Sequence, residues 1–151
     1  MNRKGITFLE IAVVLMIIGL AAVFMSPAIG EWIDNFRLKQ SARDIASMMQ
    51  AAKLKAISSR REYRVVFDIE NDIFWLERGN KANGSDTWTK EETEQKVERN
   101  VDIQSATSLT FQFNPNGTAQ SGHICLKSQK SEKEKKIVIS TTGRIRIVEG
   151  C

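Results

Sequence analysis

Residues 4–19 read KGITFLEIAVVLMIIG, a basic start followed by an apolar run that one carboxylate, Glu10, interrupts. From there on, residues 11–30 carry no charge. At about 1.5 Å per residue, a helix over this segment reaches about 30 Å, which is the thickness of the hydrocarbon layer of a bilayer. The length predicts a membrane-spanning helix. Glu10 needs a separate explanation, because a charge inside lipid costs roughly 2.5 to 3.5 kcal/mol.

A partner for Glu10 would arise if the chain were cut between Gly5 and Ile6. The new α-amino group would then lie in the same apolar layer as the carboxylate. Two basic residues in the short leader would keep it on the cytoplasmic side of the membrane. The sequence therefore predicts a removable leader, residues 1–5, and a span over residues 6–30, with the remainder of the chain on the far side.

This motif resembles the class III signal of type IV pilins and pseudopilins. In that family, a prepilin peptidase of the inner membrane removes the leader after a glycine and methylates the new N-terminus. The resemblance implies cleavage after Gly5, N-methylation of Ile6, and an assembly role for Glu10. The corresponding carboxylate in the family is thought to pair with the N-terminal amine of a neighbouring subunit. Ile6 departs from the phenylalanine that is usual at its position.

Two other interpretations of the N-terminus stay open. An ordinary secretory signal could be cleaved at residues 28–30. However, the apolar core of such signals is only about 7 to 15 residues long, which is shorter than the uncharged segment here. A single-pass membrane tether explains the length of the segment but leaves Glu10 without a role. The tether also predicts an intact leader.

Beyond the span, one apolar stripe continues at helical spacing. Its members recur every three or four residues: Leu38, Ala42, Ile45, Met49, Ala52 and Ala56. This spacing predicts an amphipathic continuation of the helix over residues 31–60. The other faces of this segment are charged, as expected for a surface in contact with water.

From Tyr63 the period of apolar residues changes to two, so that residues 61–151 are predicted to form a β-rich domain of six or seven strands. The first two strands, 63–68 and 73–77, should form a hairpin. The polar segment 83–96 is predicted to be a mobile loop or an insertion that faces a partner. One long helix followed only by strands predicts an α+β fold, with antiparallel sheet packed on the helix.

Both cysteines, Cys125 and Cys151, lie in the last quarter of the chain. A domain delivered to the periplasm meets oxidising conditions, which favours a disulfide between them, and two free thiols are the alternative. The single histidine, His123, stands near Cys125 but is more typical of a surface or packed residue than of a catalyst. The sequence contains no phosphate-binding glycine loop and no metal-ligand cluster. We therefore expect no enzyme, cofactor or metal site.

The order of elements resembles the GspH/FimT family of minor pilins and type II secretion pseudopilins. Members of that family end in a β-rich domain with a late Gly-Arg-x-Arg strand, which residues 143–146 match. The resemblance implies a minor subunit of a type IV pilus or a type II secretion pseudopilus, and it leaves that choice open. Its partners would be other pilin subunits. Before assembly, the protein would sit in the inner membrane with its domain in the periplasm.

A second function, DNA binding during uptake, is suggested by the basic C-terminal region. Residues 127–146 contain seven basic residues and two acidic ones. Arg144 and Arg146 alternate, so both should face one side of a strand, where their planar donors could bind successive phosphates. Solvated lysines and an exposed edge strand are the alternative explanation. The candidate DNA-binding residues are Lys135, Lys136, Gly143, Arg144 and Arg146.

Overall fold

The computed structural model describes residues 7–151, with residues 22–29 described by their backbone alone. Helix α1 comprises Phe8–Ser59, which confirms the long N-terminal helix. The chain divides into two compact units, one ending at Ile33 and the other comprising Asp34–Cys151. Within the described part of the chain, no helix is both long and apolar enough to cross a membrane. The predicted cleavage residues Gly5 and Ile6 lie outside the described residues, as do the side chains of 22–29.

The second unit contains nine strands, which pair throughout in antiparallel fashion. They are β1 (Tyr63–Asp68), β2 (Ile73–Gly79), β3 (Trp88–Lys90), β4 (Gln95–Lys96), β5 (Val101–Ala106), β6 (Thr110–Phe113), β7 (Gly122–Ser128), β8 (Glu134–Ile139) and β9 (Ile145–Glu149). Sheet A has the order β3-β2-β1-β6, with β4 also paired to β2, and sheet B has the order β5-β7-β8-β9. The α+β class is thereby confirmed.

The core lies between the second half of α1 and both sheets. All six residues of the predicted stripe are buried, and Ile45 and Met49 are fully so. They pack in one cluster with inward-facing residues of sheet A, such as Phe111, and of sheet B, such as Ile137. Three phenylalanines add ring contacts, since Phe67 stacks on Phe74 and meets Phe111 edge-on. The period-3.6 stripe and the period-2 strands thus bury their apolar faces against each other.

The expectation of six or seven strands was too low, and the error falls in one place. Segment 83–96, predicted to be a mobile loop or an insertion, contains β3 and β4, and both pair with β2. Their composition is polar because β3 and β4 lie at a sheet edge with almost no buried side chains. A pattern search for apolar alternation cannot detect such strands.

Candidate assembly and ligand-binding surfaces

Glu10 lies in the first turn of α1 and is exposed. Thr7 precedes the helix and caps it, since the Glu10 amide donates to the Thr7 carbonyl oxygen (3.1 Å) and to Thr7 Oγ1 (3.3 Å). The sequence Thr-x-x-Glu at this point is the signature of a capping box, which the sequence analysis overlooked. Glu10 also lines a shallow groove of about 270 Å³ with Ile11, Val14 and Leu15. The carboxylate therefore stands on an apolar surface.

The first turns of α1 bury little within this chain. Large apolar side chains there are between 48% and 89% exposed: Phe8, Leu9, Ile11, Val13, Val14, Leu15, Met16, Ile17, Ile18 and Leu20. A continuous apolar surface of this extent marks contact with a membrane or with other proteins. It contrasts with the buried stripe that begins at Leu38.

Gly143 holds the loop before β9 in place through backbone geometry. Its φ of +68° lies in the left-handed region, and a Cβ atom at this position would approach the Gly117 carbonyl oxygen to 2.3 Å. The carbonyl group of Gly143 accepts a hydrogen bond from Lys53 Nζ of α1 at 3.0 Å. Glycine is thus required here for shape. Lys53, which the sequence analysis did not single out, fastens this loop to the helix.

Arg144 and Arg146 are both exposed. Arg144 lies just before β9, and Arg146 lies opposite Val138 of β8. By the alternation of a strand, both belong to the outer face of sheet B, away from the core. Neither guanidinium group forms an ion pair or hydrogen bond with the residues that the structure describes. Both guanidinium groups are therefore open to a ligand.

The two lysines grouped with these arginines do not share one surface. Lys135 lies opposite buried Leu126, so it belongs to the inner face of β8, and its side chain is only 12% exposed in an ion pair with Glu149 (3.1 Å). Lys136 is on the outer face, where its Nζ donates to the Cys151 carbonyl oxygen at 2.9 Å. The proximity of these lysines in sequence was misleading, because adjacent residues of a strand point to opposite faces.

Cys125 and Cys151 form a disulfide. Cys125 is buried in β7, while Cys151 follows β9. The disulfide therefore joins the end of the chain to β7, across the intervening strand β8. With this disulfide formed, Cys125 offers no free thiol to His123. The His123 ring instead lies 2.9 Å from Thr107 Oγ1 at the surface.

Glu62 is a buried acidic residue that the sequence analysis missed. It is 1% exposed, and its carboxylate accepts hydrogen bonds from the amides of Gly84 (2.9 Å) and Ser85 (2.7 Å). Burial raises the pKa of Glu62, but the hydrogen-bond donors of Ser85 and Gly84 outweigh this and leave the pKa below its ordinary value. In the same loop, Lys81 and then Asn80 hold the pKa of Asp86 at about 2.

The segment that carries β3 and β4 is fastened to its surroundings at two points. The guanidinium group of Arg64 lies over the Trp88 ring, 4.2 Å from its centroid. At the other point, Lys55 of α1 binds Glu92 (2.6 Å) and Glu91 (3.2 Å). The hydrogen bond from Lys55 to Glu92 is the main reason why the pKa of Lys55 is raised. These contacts join the segment to β1 and to α1.

Comparison with known proteins relates the chain to a family and to several solved structures. A family model described as type II transport protein GspH matches residues 41–143. No curated protein matches the chain in sequence.

Several solved structures share the fold. The minor pseudopilin EpsH from the type 2 secretion system of Vibrio cholerae aligns with a TM-score of 0.62 and 12% identity, covering 75% of this chain and 97% of EpsH. The type IV minor pilin FimU of Pseudomonas aeruginosa aligns with a TM-score of 0.59 and 16% identity, covering 78% of this chain and 92% of FimU. The solution structure of Escherichia coli GspH aligns with a TM-score of 0.61 and 12% identity, covering 76% of this chain and 89% of GspH. At these identities, the likeness concerns the fold.

Proposed function

We propose that this chain, which belongs to the GspH family of type II transport proteins, is a minor subunit that joins a pilus or pseudopilus through its N-terminal helix. One observation carries the proposal: the apolar side chains at the start of α1 are exposed around a single carboxylate, Glu10, whereas the later part of the same helix is buried against the sheets. The described residues of this chain leave these apolar side chains of α1 exposed, so we expect another molecule to cover them.

We propose that two environments bury this apolar surface of α1 in succession. Before assembly, residues 6–30 lie in the inner membrane, which the uncharged stretch from residue 11 to 30 supports. After a prepilin peptidase has cut behind Gly5, the helix packs among the helices of neighbouring subunits. Glu10 then pairs with the Ile6 amine of an adjoining chain. Such pairing offsets much of the cost of placing each charge in a dry environment.

The experiment compares three forms of the full chain in cells that assemble the filament. Glu10→Gln removes the charge, and Thr7→Ala removes the helix cap but keeps the charge. We expect Glu10→Gln to lower incorporation into sheared filaments about tenfold or more, since an unpaired amine would be buried, while Thr7→Ala remains near the wild-type level. Mass spectrometry of the membrane-extracted protein should find Ile6 as the methylated N-terminus. An intact leader, or normal incorporation of Glu10→Gln, would contradict the proposal.

DNA binding is a second candidate function, and the observation in its favour is the pair of exposed guanidinium groups of Arg144 and Arg146. Lys135 and Lys136 are engaged elsewhere, and Gly143 is needed for the shape of the loop. A gel shift with duplex DNA tests this. Two phosphate contacts predict a slope of about −2 for log affinity against log salt, lost in the double variant Arg144→Gln/Arg146→Gln. No shift at low salt would refute DNA binding.

A further inference from the structure

The backbone of β9 has hydrogen-bonding groups that face away from the sheet. Ser140 donates its amide to the Arg144 carbonyl group, and Gly150 donates to the Glu134 carbonyl group, both at 3.0 Å. Since hydrogen-bonded positions alternate along an antiparallel pair, the even-numbered residues of β9 bond to β8. The amide and carbonyl groups of the odd-numbered residues therefore point outward. These residues are Ile145, Ile147 and Glu149.

Within residues 7–151, the other sheet edges are blunted and the β9 edge is not. In sheet A, β3 and β4 have three and two residues, and residues 118–120 run along β6, with Gln120 donating to the Gln112 carbonyl group. In sheet B, β5 shifts register between Ile103 and Ser105, as a bulge does. β9 pairs in unbroken register over five residues. Short, covered or bulged edges resist strand addition, and a straight edge invites it.

The side chains of β9 point to the kind of strand that would fit. Ile147 lies opposite fully buried Ile137 but is itself 39% exposed, because no strand among residues 7–151 lies on its other side. Beside the end of β9, a groove of about 480 Å³ opens between Glu149 and Gly150 on one side and Leu38 and Lys39 of α1 on the other. Both features leave room for apolar or small side chains on the inner face of an added strand.

The outer face of the same edge is cationic. Arg144 and Arg146 present two exposed guanidinium groups at alternate positions. Cross-strand pairs of opposite charge stabilise a sheet, and like charges in this position oppose it. A strand added here should therefore carry acidic residues at alternate positions, and DNA would account for the arginines without using the free amide groups.

We infer that the β9 edge is a docking site for an extended segment of a neighbouring subunit, in which acidic residues alternate with apolar ones, added to sheet B as a further strand. The acidic side chains face Arg144 and Arg146, and the apolar ones cover Ile147. The inference rests on the proposed function, because the neighbour is a subunit of the same filament. It gives the basic C-terminal strand a role in assembly through backbone recognition.

The test uses the full oxidised chain in detergent micelles and a labelled peptide, acetyl-Glu-Val-Glu-Val-Glu-Val-Glu-amide. We expect saturable binding and about tenfold or greater slowing of amide hydrogen exchange at Ile145, Ile147 and Glu149 when the peptide is saturating. Ile147→Pro removes an outward amide but no bond to β8, and it should abolish binding. Absence of binding, or binding without slower exchange at these amides, would overturn the inference.

A charge swap keeps the test decisive if the proline variant fails to fold. The double variant Arg144→Glu/Arg146→Glu should lose the glutamate peptide and gain binding to acetyl-Lys-Val-Lys-Val-Lys-Val-Lys-amide. Lys130→Glu, an exposed change in the loop between β7 and β8, should leave both affinities as in the wild type. Equal binding of both peptides by the wild type would overturn the inference. It would also be overturned if duplex DNA displaced the peptide while amide hydrogen exchange along β9 stayed fast. Because no filament is required, failure here is distinguishable from failure of the Glu10 experiment.

Discussion

Lys53 of α1 and Gly143 of the loop before β9 are joined by a hydrogen bond of 3.0 Å, from the lysine ammonium to the glycine carbonyl oxygen. The same ammonium lies 3.3 Å from the Thr142 carbonyl oxygen. This contact connects the helix to the loop that carries Arg144 and leads into β9, where Arg146 lies. The orientation of the C-terminal strand is therefore set in part by the helix.

Gly143→Ala should destabilise the domain by about 2 to 4 kcal/mol. Alanine at a positive φ costs about 1 kcal/mol, and the added methyl group would collide with the Gly117 carbonyl oxygen. Urea unfolding followed by tryptophan fluorescence measures the change. Gly150→Ala is the matched control, because its φ of +78° is similar and its surroundings are open. Equal losses in both variants would show that the collision is relieved by movement of the loop.

Glu62→Gln should lower the free energy of unfolding by about 1 to 3 kcal/mol at neutral pH, because an amide retains one of the two acceptor oxygens. The pKa of Glu62 is lowered in the folded protein, so its contribution is present above pH 4.5 and is lost as the pH falls through the folded value. Urea unfolding between pH 3 and 7 should show the two proteins converging at low pH. A constant difference across this range would contradict the assigned role.

Reduction of the Cys125–Cys151 disulfide should loosen β9 more than the other strands of sheet B. On the inner face of β9, Ile145 packs against the core and Ile147 is 39% exposed, while Val148 on the outer face is 40% exposed. The closed loop contributes on the order of 3 kcal/mol in the chain-entropy model. Hydrogen exchange of Cys151→Ser should therefore rise in β9 and stay slow in β7. Unchanged exchange in β9 would mean that pairing with β8 alone holds it.

Trp88→Ala should release β3 from the edge of sheet A. The variant removes the ring on which Arg64 stacks, a contact of about 0.5 to 1 kcal/mol at an exposed site, together with the area the ring buries. Limited proteolysis should cut within residues 86–94 several times faster than in the wild type. Leu54→Ala, at an exposed position of α1, is the control and should leave the cleavage rate unchanged. A wild-type rate for Trp88→Ala would mean that the Lys55 contacts suffice.

The sequence alone determined the elements that follow from a repeating apolar pattern. The apolar stripe of α1 has a period of 3.6 residues, and all of its members are in the core. The β1–β2 hairpin follows from period-2 alternation on both sides of a polar turn. These features are local, because a helix or strand buries the face that its own residue spacing makes apolar. The motif around Glu10 is likewise local, and its role in assembly stays a prediction.

Only the tertiary structure decided which distant residues meet. Strands β3 and β4 have no apolar alternation and exist because β2 offers them an edge. Lys53 and Gly143, ninety positions apart in the sequence, were likewise brought together when the loop before β9 packed on α1. Such contacts depend on how whole elements pack, and a residue ninety positions away can contribute as directly as a neighbour in the sequence. These contacts therefore leave no short-range pattern in the sequence.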